Sequence, residues 1–181
     1  TEWYVQAARY ENEYLPNASL FEELSWKRAT AAYNSIELDL TWQFQQDVDD
    51  YTENLKTMLD NIKYKSADYS LVDEAVAKYE ALTESWYTPA SYKAVDDAVN
   101  AVVRGYDIRR QADVTAMATA INDALGKLVE ASANYDKVDT AIEYVDNQLK
   151  EKNYTAESWA NLQNVIASVD WTLNARYQDT V

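Results

Sequence analysis

The sequence predicts an all-α fold: tandem antiparallel three-helix bundles repeating about every 66 residues, the last copy cut short. Three observations carry that expectation. Two Gly and two Pro in 181 residues leave little material for the tight turns of a β-rich fold. Sliding the chain by 66 or 67 places lays it on itself. Within each copy, apolar residues step by three and four, which is the spacing of one helical face.

The repeats are residues 1–66, a diverged copy; 67–133, a complete one; and 134–181, a partial one holding two helices and the start of a third. "ADYSLVDEAV" from 67 falls on "ANYDKVDTAI" from 133, and "SYKAVDDAVNAV" from 91 falls on "SWANLQNVIASV" from 158. The first copy joins through "SWKRATAAY" from 25, while Gln45, Gln111 and Gln178 share one position, as do Val48, Val114 and Val181.

Each copy divides into segments A, B and C. Segment A carries the stripe Tyr69, Val72, Val76, Tyr79, Leu82 and its echo Tyr135, Val138, Ile142, Val145, Leu149. In the first copy it is weakest: Gln6 falls where Val72 and Val138 sit, a shift by one residue fits equally well, and Pro16 is expected to end it. Ser70 with Asp73, and Asp136 with Asp139, suit its start, where acidic groups meet the positive end of the helix dipole.

Segment B carries Tyr92, Val95, Val99, Val102, Tyr106, echoed by Trp159, Leu162, Ile166, Val169, Leu173. Thr88 before Pro89, and Thr155, are its expected N-caps, and Gly105 its expected end. Three stretches, "FEELSW" from 21, "YTPASY" from 87 and "YTAESW" from 154, open it. With the Thr as cap, the two aromatics take the N′ and N4 positions of a hydrophobic staple, which sets the angle at which the chain enters the helix.

Segment C carries Val114, Met117, Ile121, Leu125, Leu128, and in the first copy Val48, Tyr51, Leu55, Leu59, Ile62. Thr41, Asp107 and Asn174 are its aligned N-caps. Helices of roughly 15 to 20 residues are marginal alone, so burial of the stripes must stabilise them. "NIKYKSADYS" from 61 and "KLVEASANYD" from 127 contain neither Gly nor Pro, which permits segment C to run unbroken into the next segment A. The third copy stops at Val181, so one apolar groove is expected to be open, to be filled by further chain or by a partner helix.

Charge and chemistry narrow the function. A net charge of −15 repels phosphate backbones and anionic headgroups, which argues against nucleic acid and membrane surfaces. No run is long enough to insert in a membrane, there is no signal peptide, and Thr1 is not an initiator Met, so the chain reads as an excised or processed piece. Cys and His are both absent, removing disulfides, zinc thiolates, a Cys nucleophile and the commonest base near neutral pH. The acidic pairs Glu22-Glu23, Asp49-Asp50 and Asp96-Asp97 are adjacent on helices and do not face one another as glycosidase carboxylates must. No calcium loop with its turn glycine occurs. Catalytic, metal and cofactor residues are therefore expected to be absent. "NAS" at 17–19 and "NYT" at 153–155 match the glycosylation pattern but lie at helix starts, where Ser and Thr cap.

Aromatics remain: 15 Tyr and 6 Trp against 2 Phe. Trp26, Trp159 and Tyr92 fall on core stripes. Trp42, at the start of a segment C, Trp86, between A and B, and Trp171, off its stripe, are the candidate ligand-contacting residues.

The openings "DYSxVDxA" of A, "YTxxSW" or "YTxxSY" of B and "QxxV" of C resemble the FIVAR repeat (found in various architectures), across nearly the whole chain. The first copy departs from it, with Phe21-Glu22 in place of Tyr-Thr. The resemblance implies a three-helix module of large secreted or wall-anchored proteins of Gram-positive bacteria, often beside glycan-binding or glycan-cleaving domains, and no catalytic residues. On that footing the expected role is an extracellular or cell-wall spacer or display segment whose partners are neighbouring domains of the same polypeptide. The alternative is an adhesin-like module that binds a glycan or a host surface protein through exposed Trp and Tyr.

Overall fold

A computed structural model describes residues 2–36, 40 and 42–181, and of Trp42 only the backbone. The chain is all-helical, with α1 (Glu2–Arg9), α2 (Glu23–Asn34), α3 (Gln45–Asp60), α4 (Ser70–Glu80), α5 (Pro89–Asn100), α6 (Gln111–Leu125), α7 (Asp136–Gln148) and α8 (Ala156–Ala167). Among the described residues the extended backbone pairs only as four isolated bridges. Two compact units divide the chain: Thr1–Val72 with Val103–Met117, and Asp73–Val102 with Ala118–Val181.

In the first unit α3 packs on α1 and α2. Leu55 and Leu59, one helical turn apart on the segment C stripe, are 0% and 1% exposed. Each such burial is worth about 1.5–3 kcal/mol. They meet Ala29, Ala32 and Tyr10, with Trp3, Tyr14, Trp26, Tyr33, Met58 and Ile62 packed around them. The small side chains of Ala29 and Ala32 leave room on α2 for large rings from α1. Thr52 rather than Tyr51 takes the buried place one turn before Leu55, its hydroxyl donating to the Val48 carbonyl at 2.7 Å.

The ambiguous register of the first segment A has a structural cause. After eight residues α1 passes into a π-turn, Tyr10–Tyr14, and then a 3-10 turn, Leu15–Leu20, that contains Pro16. A π-turn absorbs one extra residue. Gln6 is buried where the other copies have Val72 and Val138. Its amide donates to Glu2 at 3.0 Å and accepts from Arg9 at 2.7 Å, and Arg9 pairs with Asp60 at 3.0 Å. A buried polar group is tolerated when so partnered.

The second unit contains α5, α7, α8 and parts of α4 and α6, and its buried residues include Ala75, Val95, Ala118, Ile121 and Val145. Helices in the A and B positions are shorter than expected: 11 residues in α4, 12 in α5, 13 in α7 and 12 in α8. The apolar stripes run past the helix ends because 3-10 turns, Glu84–Trp86 and Glu151–Asn153, lead into each segment B. Segment B also stops earlier than the glycine suggested. Its helix α5 ends at Asn100, and Gly105 lies in the following loop at φ +88°, a left-handed turn that glycine adopts without strain. Along α7 and α8, Val138, Ile142, Val145, Leu162 and Val169 line an apolar groove of about 360 Å³ that Val181 also touches.

Candidate functional site: the clasped connectors

The stretches that could have continued helix C into helix A do not. α3 ends at Asp60 and α6 at Leu125, and the chain then runs extended for several residues. An extended strand directs its N–H and C=O groups to both sides, and both sides are used.

In the first unit, Glu22 N–H donates to the Lys63 carbonyl at 2.8 Å and Lys65 N–H to Leu20 at 2.8 Å, tying the connector to the start of its own segment B. On the other side Ile108 N–H donates to Lys65 at 2.8 Å and Ala67 N–H to Tyr106 at 3.0 Å, tying it to the start of the next segment C. The second unit repeats this bond for bond. Thr88 donates to Val129 at 2.8 Å, Ala131 to Trp86 at 2.9 Å, Ala175 to Ala131 at 2.8 Å and Ala133 to Leu173 at 3.0 Å. Four backbone bonds at a net ~0.5–1.5 kcal/mol each contribute about 2–6 kcal/mol per connector.

Side chains of the recurring motifs complete the clasp. The Ser of "FEELSW", Ser25, bonds both the N–H and the carbonyl of Lys63, at 3.2 and 3.3 Å; Ser91 does the same to Val129, at 3.1 and 3.3 Å. The carboxamide of Gln111 accepts from Asp68 N–H at 2.7 Å and donates to its carbonyl at 2.9 Å, as a neighbouring strand would. Gln178 repeats this on Asn134, at 2.6 and 2.9 Å. The Tyr69 hydroxyl donates to the Val103 carbonyl at 3.0 Å and accepts from Tyr106 N–H at 3.1 Å; Tyr135 does so with Asp170 and Leu173, at 2.6 and 3.1 Å. These tyrosines, expected only to pack, fasten the loop after segment B.

Two arginines at the same repeat position close the outside. Arg109 lies 3.8 Å over the Tyr64 ring. Arg176 pairs with Glu130 at 2.8 Å and lies 4.9 Å over Trp86. Where the first copy has Tyr64 the second has Glu130, so a cation–π contact is exchanged for an ion pair around the same guanidinium.

Helix starts follow the expected chemistry in part, and the side chain of the expected N-cap Thr88 accepts no backbone N–H of its helix. Thr155 accepts from Ser158 N–H at 3.2 Å, and the rings of Tyr154 and Trp159 lie 5.9 Å apart, the expected staple. Phe21 and Trp26 make it at 5.8 Å, around a Glu22 that supplies no cap bond. In the second copy Tyr92 instead packs on Tyr79 at 5.7 Å, and the Thr88 hydroxyl bonds Ser91. Asp107 and Asn174 cap the 3-10 turns before segment C, accepting from Arg109 and Arg176; Thr41 lies outside the described residues. At segment A the cap sits two residues earlier than Ser70 and Asp136: Asp68 accepts from Ser70 N–H and Asn134 from Asp136 N–H, at 2.8 and 2.7 Å. Hydrogen bonds from Ser70 hold the Asp68 carboxyl below the usual range, and those from Arg109 do the same for Asp107.

Of the three candidate tryptophans, Trp86 lies against Arg176, and Trp171, half exposed, lies against Tyr135 at 5.0 Å. The side chain of Trp42 lies outside the described residues. The paired carboxylates are engaged, Asp96 accepting from Tyr79 of α4, and Asp97, Asp49 and Asp50 accepting along their own helices from Lys93, Gln45 and Gln46. The Asp96 bond pushes the Tyr79 phenol well above its ordinary value. Among the described residues no three acidic side chains converge as a metal site. Ser25, Ser91, Arg109 and Arg176 were not singled out by sequence reasoning; their recurrence at the repeat spacing was the signal that could have found them. Comparison with models of known protein families, with curated proteins and with solved structures finds no match.

Proposed function

We propose that the chain is a non-catalytic, FIVAR-type helical repeat module that serves as a spacer or display segment of a secreted or cell-surface bacterial protein, its partners being neighbouring domains of the same polypeptide. One observation carries this reading: both connectors hold the same backbone and side-chain clasp, each to the start of its own segment B and to the start of the next segment C. A chain built to flex between repeats has no use for that, because a solvated Gly/Ser-rich linker stays flexible without any ordering bonds. A spacer benefits from it directly, since a doubly bonded connector transmits position from one helix set to the next. No described helix is long and apolar enough to cross a membrane. Tandem three-helix packing in every repeat is part of the same proposal. Small-angle scattering from the chain and from a concatenated three-copy version tests it. Maximum dimension should grow in proportion to copy number, and a compact globule for the longer chain would refute the spacer role.

A further inference from the structure

We propose that the first repeat carries a binding groove for a neutral oligosaccharide, floored by Trp3 and Tyr33 and edged by Tyr4, Glu11 and Asn34. The groove has a volume of about 540 Å³, within the roughly 300–1,000 Å³ of small-ligand sites.

Its residues are the places where the first copy departs from its siblings. Tyr33 stands where the others have Val99 and Ile166, and Trp3 where they have the loop-fastening Tyr69 and Tyr135. An indole has no hydroxyl to fasten that loop, and the Trp3 ring instead lies 6.1 Å from Tyr33 at a 33° tilt. Beneath, buried Tyr10 stacks on Tyr33 at 4.2 Å, where the sibling copies have Val76 and Ile142. The π-turn that begins at Tyr10 carries Glu11, whose carboxylate accepts the Tyr33 hydroxyl and fixes the ring from its rim. Packing accounts for Tyr10, which fills the room that Ala29 leaves where the next copy has Val95; Trp3 and Tyr33 are only half buried against that core and keep part of their surface in the groove.

The geometry selects the ligand class. A cage for an ammonium group needs aromatic walls facing one another across the cation. Here the Trp3 and Tyr33 rings, 6.1 Å apart and tilted by 33°, leave no room for a cation between them. Both line the groove, with Tyr10 stacked on Tyr33, an aromatic lining that suits the apolar C–H face of a pyranose. Glu11 can accept from sugar hydroxyls, while the Asn34 carboxamide can both donate and accept. With a chain charge of −15, anionic sugars are disfavoured. This site is separate from the spacer reading, which scattering decides independently.

The test uses the intact chain and neutral cello-, chito-, xylo- and malto-oligosaccharides of two to six sugars, by affinity electrophoresis and two-dimensional NMR. At least one series should bind, with shifts centred on the Trp3 indole N–H and the Asn34 side-chain amide. Trp3→Ala should weaken binding about tenfold and Tyr4→Ala about threefold, with Trp171→Ala unchanged. Tyr4 is 73% exposed, so its variant decides the matter should Trp3→Ala disturb the fold by circular dichroism. No binding to any series at millimolar concentration, shifts centred on Trp86 or Trp171, affinity indifferent to Tyr4→Ala, or stronger binding of a trimethyl-lysine peptide would each overturn the proposal.

Discussion

Replacing Gln111 with Ala isolates one element of the clasp. The carboxamide makes two bonds to the Asp68 backbone, at 2.7 and 2.9 Å. At ~0.5–1.5 kcal/mol net each they sum to about 1–3 kcal/mol. Asp68 is exposed, so water can reach the vacated N–H and C=O, which places the cost in the lower half, about 1–2 kcal/mol. The chain contains its own control. Gln45 occupies the same repeat position, but among the described residues its carboxamide bonds Asp49, one turn along its own helix, at 2.8 Å, a contact worth about 0.2–0.5 kcal/mol. Urea unfolding followed by circular dichroism should therefore show the midpoint falling several-fold further for Gln111→Ala than for Gln45→Ala, with unchanged slope. Gln178→Ala should resemble Gln111→Ala, because its bonds to Asn134 are the same pair. Equal midpoints for Gln111→Ala and Gln45→Ala would refute the reasoning that the carboxamide acts as a strand surrogate.

Leu55→Ala should cost about 2–5 kcal/mol in the same assay, since the side chain is fully buried in the cluster with Ala29, Ala32 and Leu59. In an ultraviolet titration Tyr79 should ionise above the ordinary phenol value of about 10, and Asp96→Asn should bring it back toward that value. Because the folded value is raised, the stability this bond adds is complete below the unfolded phenol pKa and is lost as pH rises through the folded one. The depressed carboxyls of Asp68, Asp107 and Asp170 act at the other end. Their contribution is present above the ordinary Asp value of about 3.9 and disappears as pH falls below it, so acid unfolding monitored by circular dichroism should shift toward neutral pH in Asp107→Asn. A synthetic peptide of residues 111–128, carrying the segment C stripe, should dock in the groove along α7 and α8 and lose affinity with Val169→Lys, measured by fluorescence anisotropy.

Much of the helical content was legible because its signals are local. Leu55, Leu59, Val114 and Ile121 were on the segment C stripe and are all at most 1% exposed. Thr155, Asp107 and Asn174 cap where their side chains can reach an N–H two or three residues on, a distance that the sequence itself displays. What escaped depends on contacts between distant residues. The connectors lack Gly and Pro, so nothing local forbids helix there, and the bonds that hold them extended come from residues about 40 positions away, such as Leu20 and Tyr106 for the first connector. The π-turn at Tyr10 was visible only as an unresolved one-residue shift around Gln6, since which backbone bond skips a residue is settled by packing. Serine at the third helical position of segment B recurs in all three openings, but its grip on Lys63 or Val129 exists only with the connector in place. The candidate tryptophans were chosen for lying off the stripes. Trp3, by contrast, takes the stripe position of Tyr69 and Tyr135, and its ring contact with Tyr33 emerges only in the fold.

Amide hydrogen exchange on the intact chain at single-residue resolution tests the central claim most directly. The N–H groups of Lys65, Ala67, Ile108, Ala131, Ala133 and Ala175 should be protected far beyond exposed loop amides and should open together with the helix ends they bond. Exchange of those six at the rate of an unstructured peptide, with the helices still protected, would mean that the connectors are free tethers and would contradict the account.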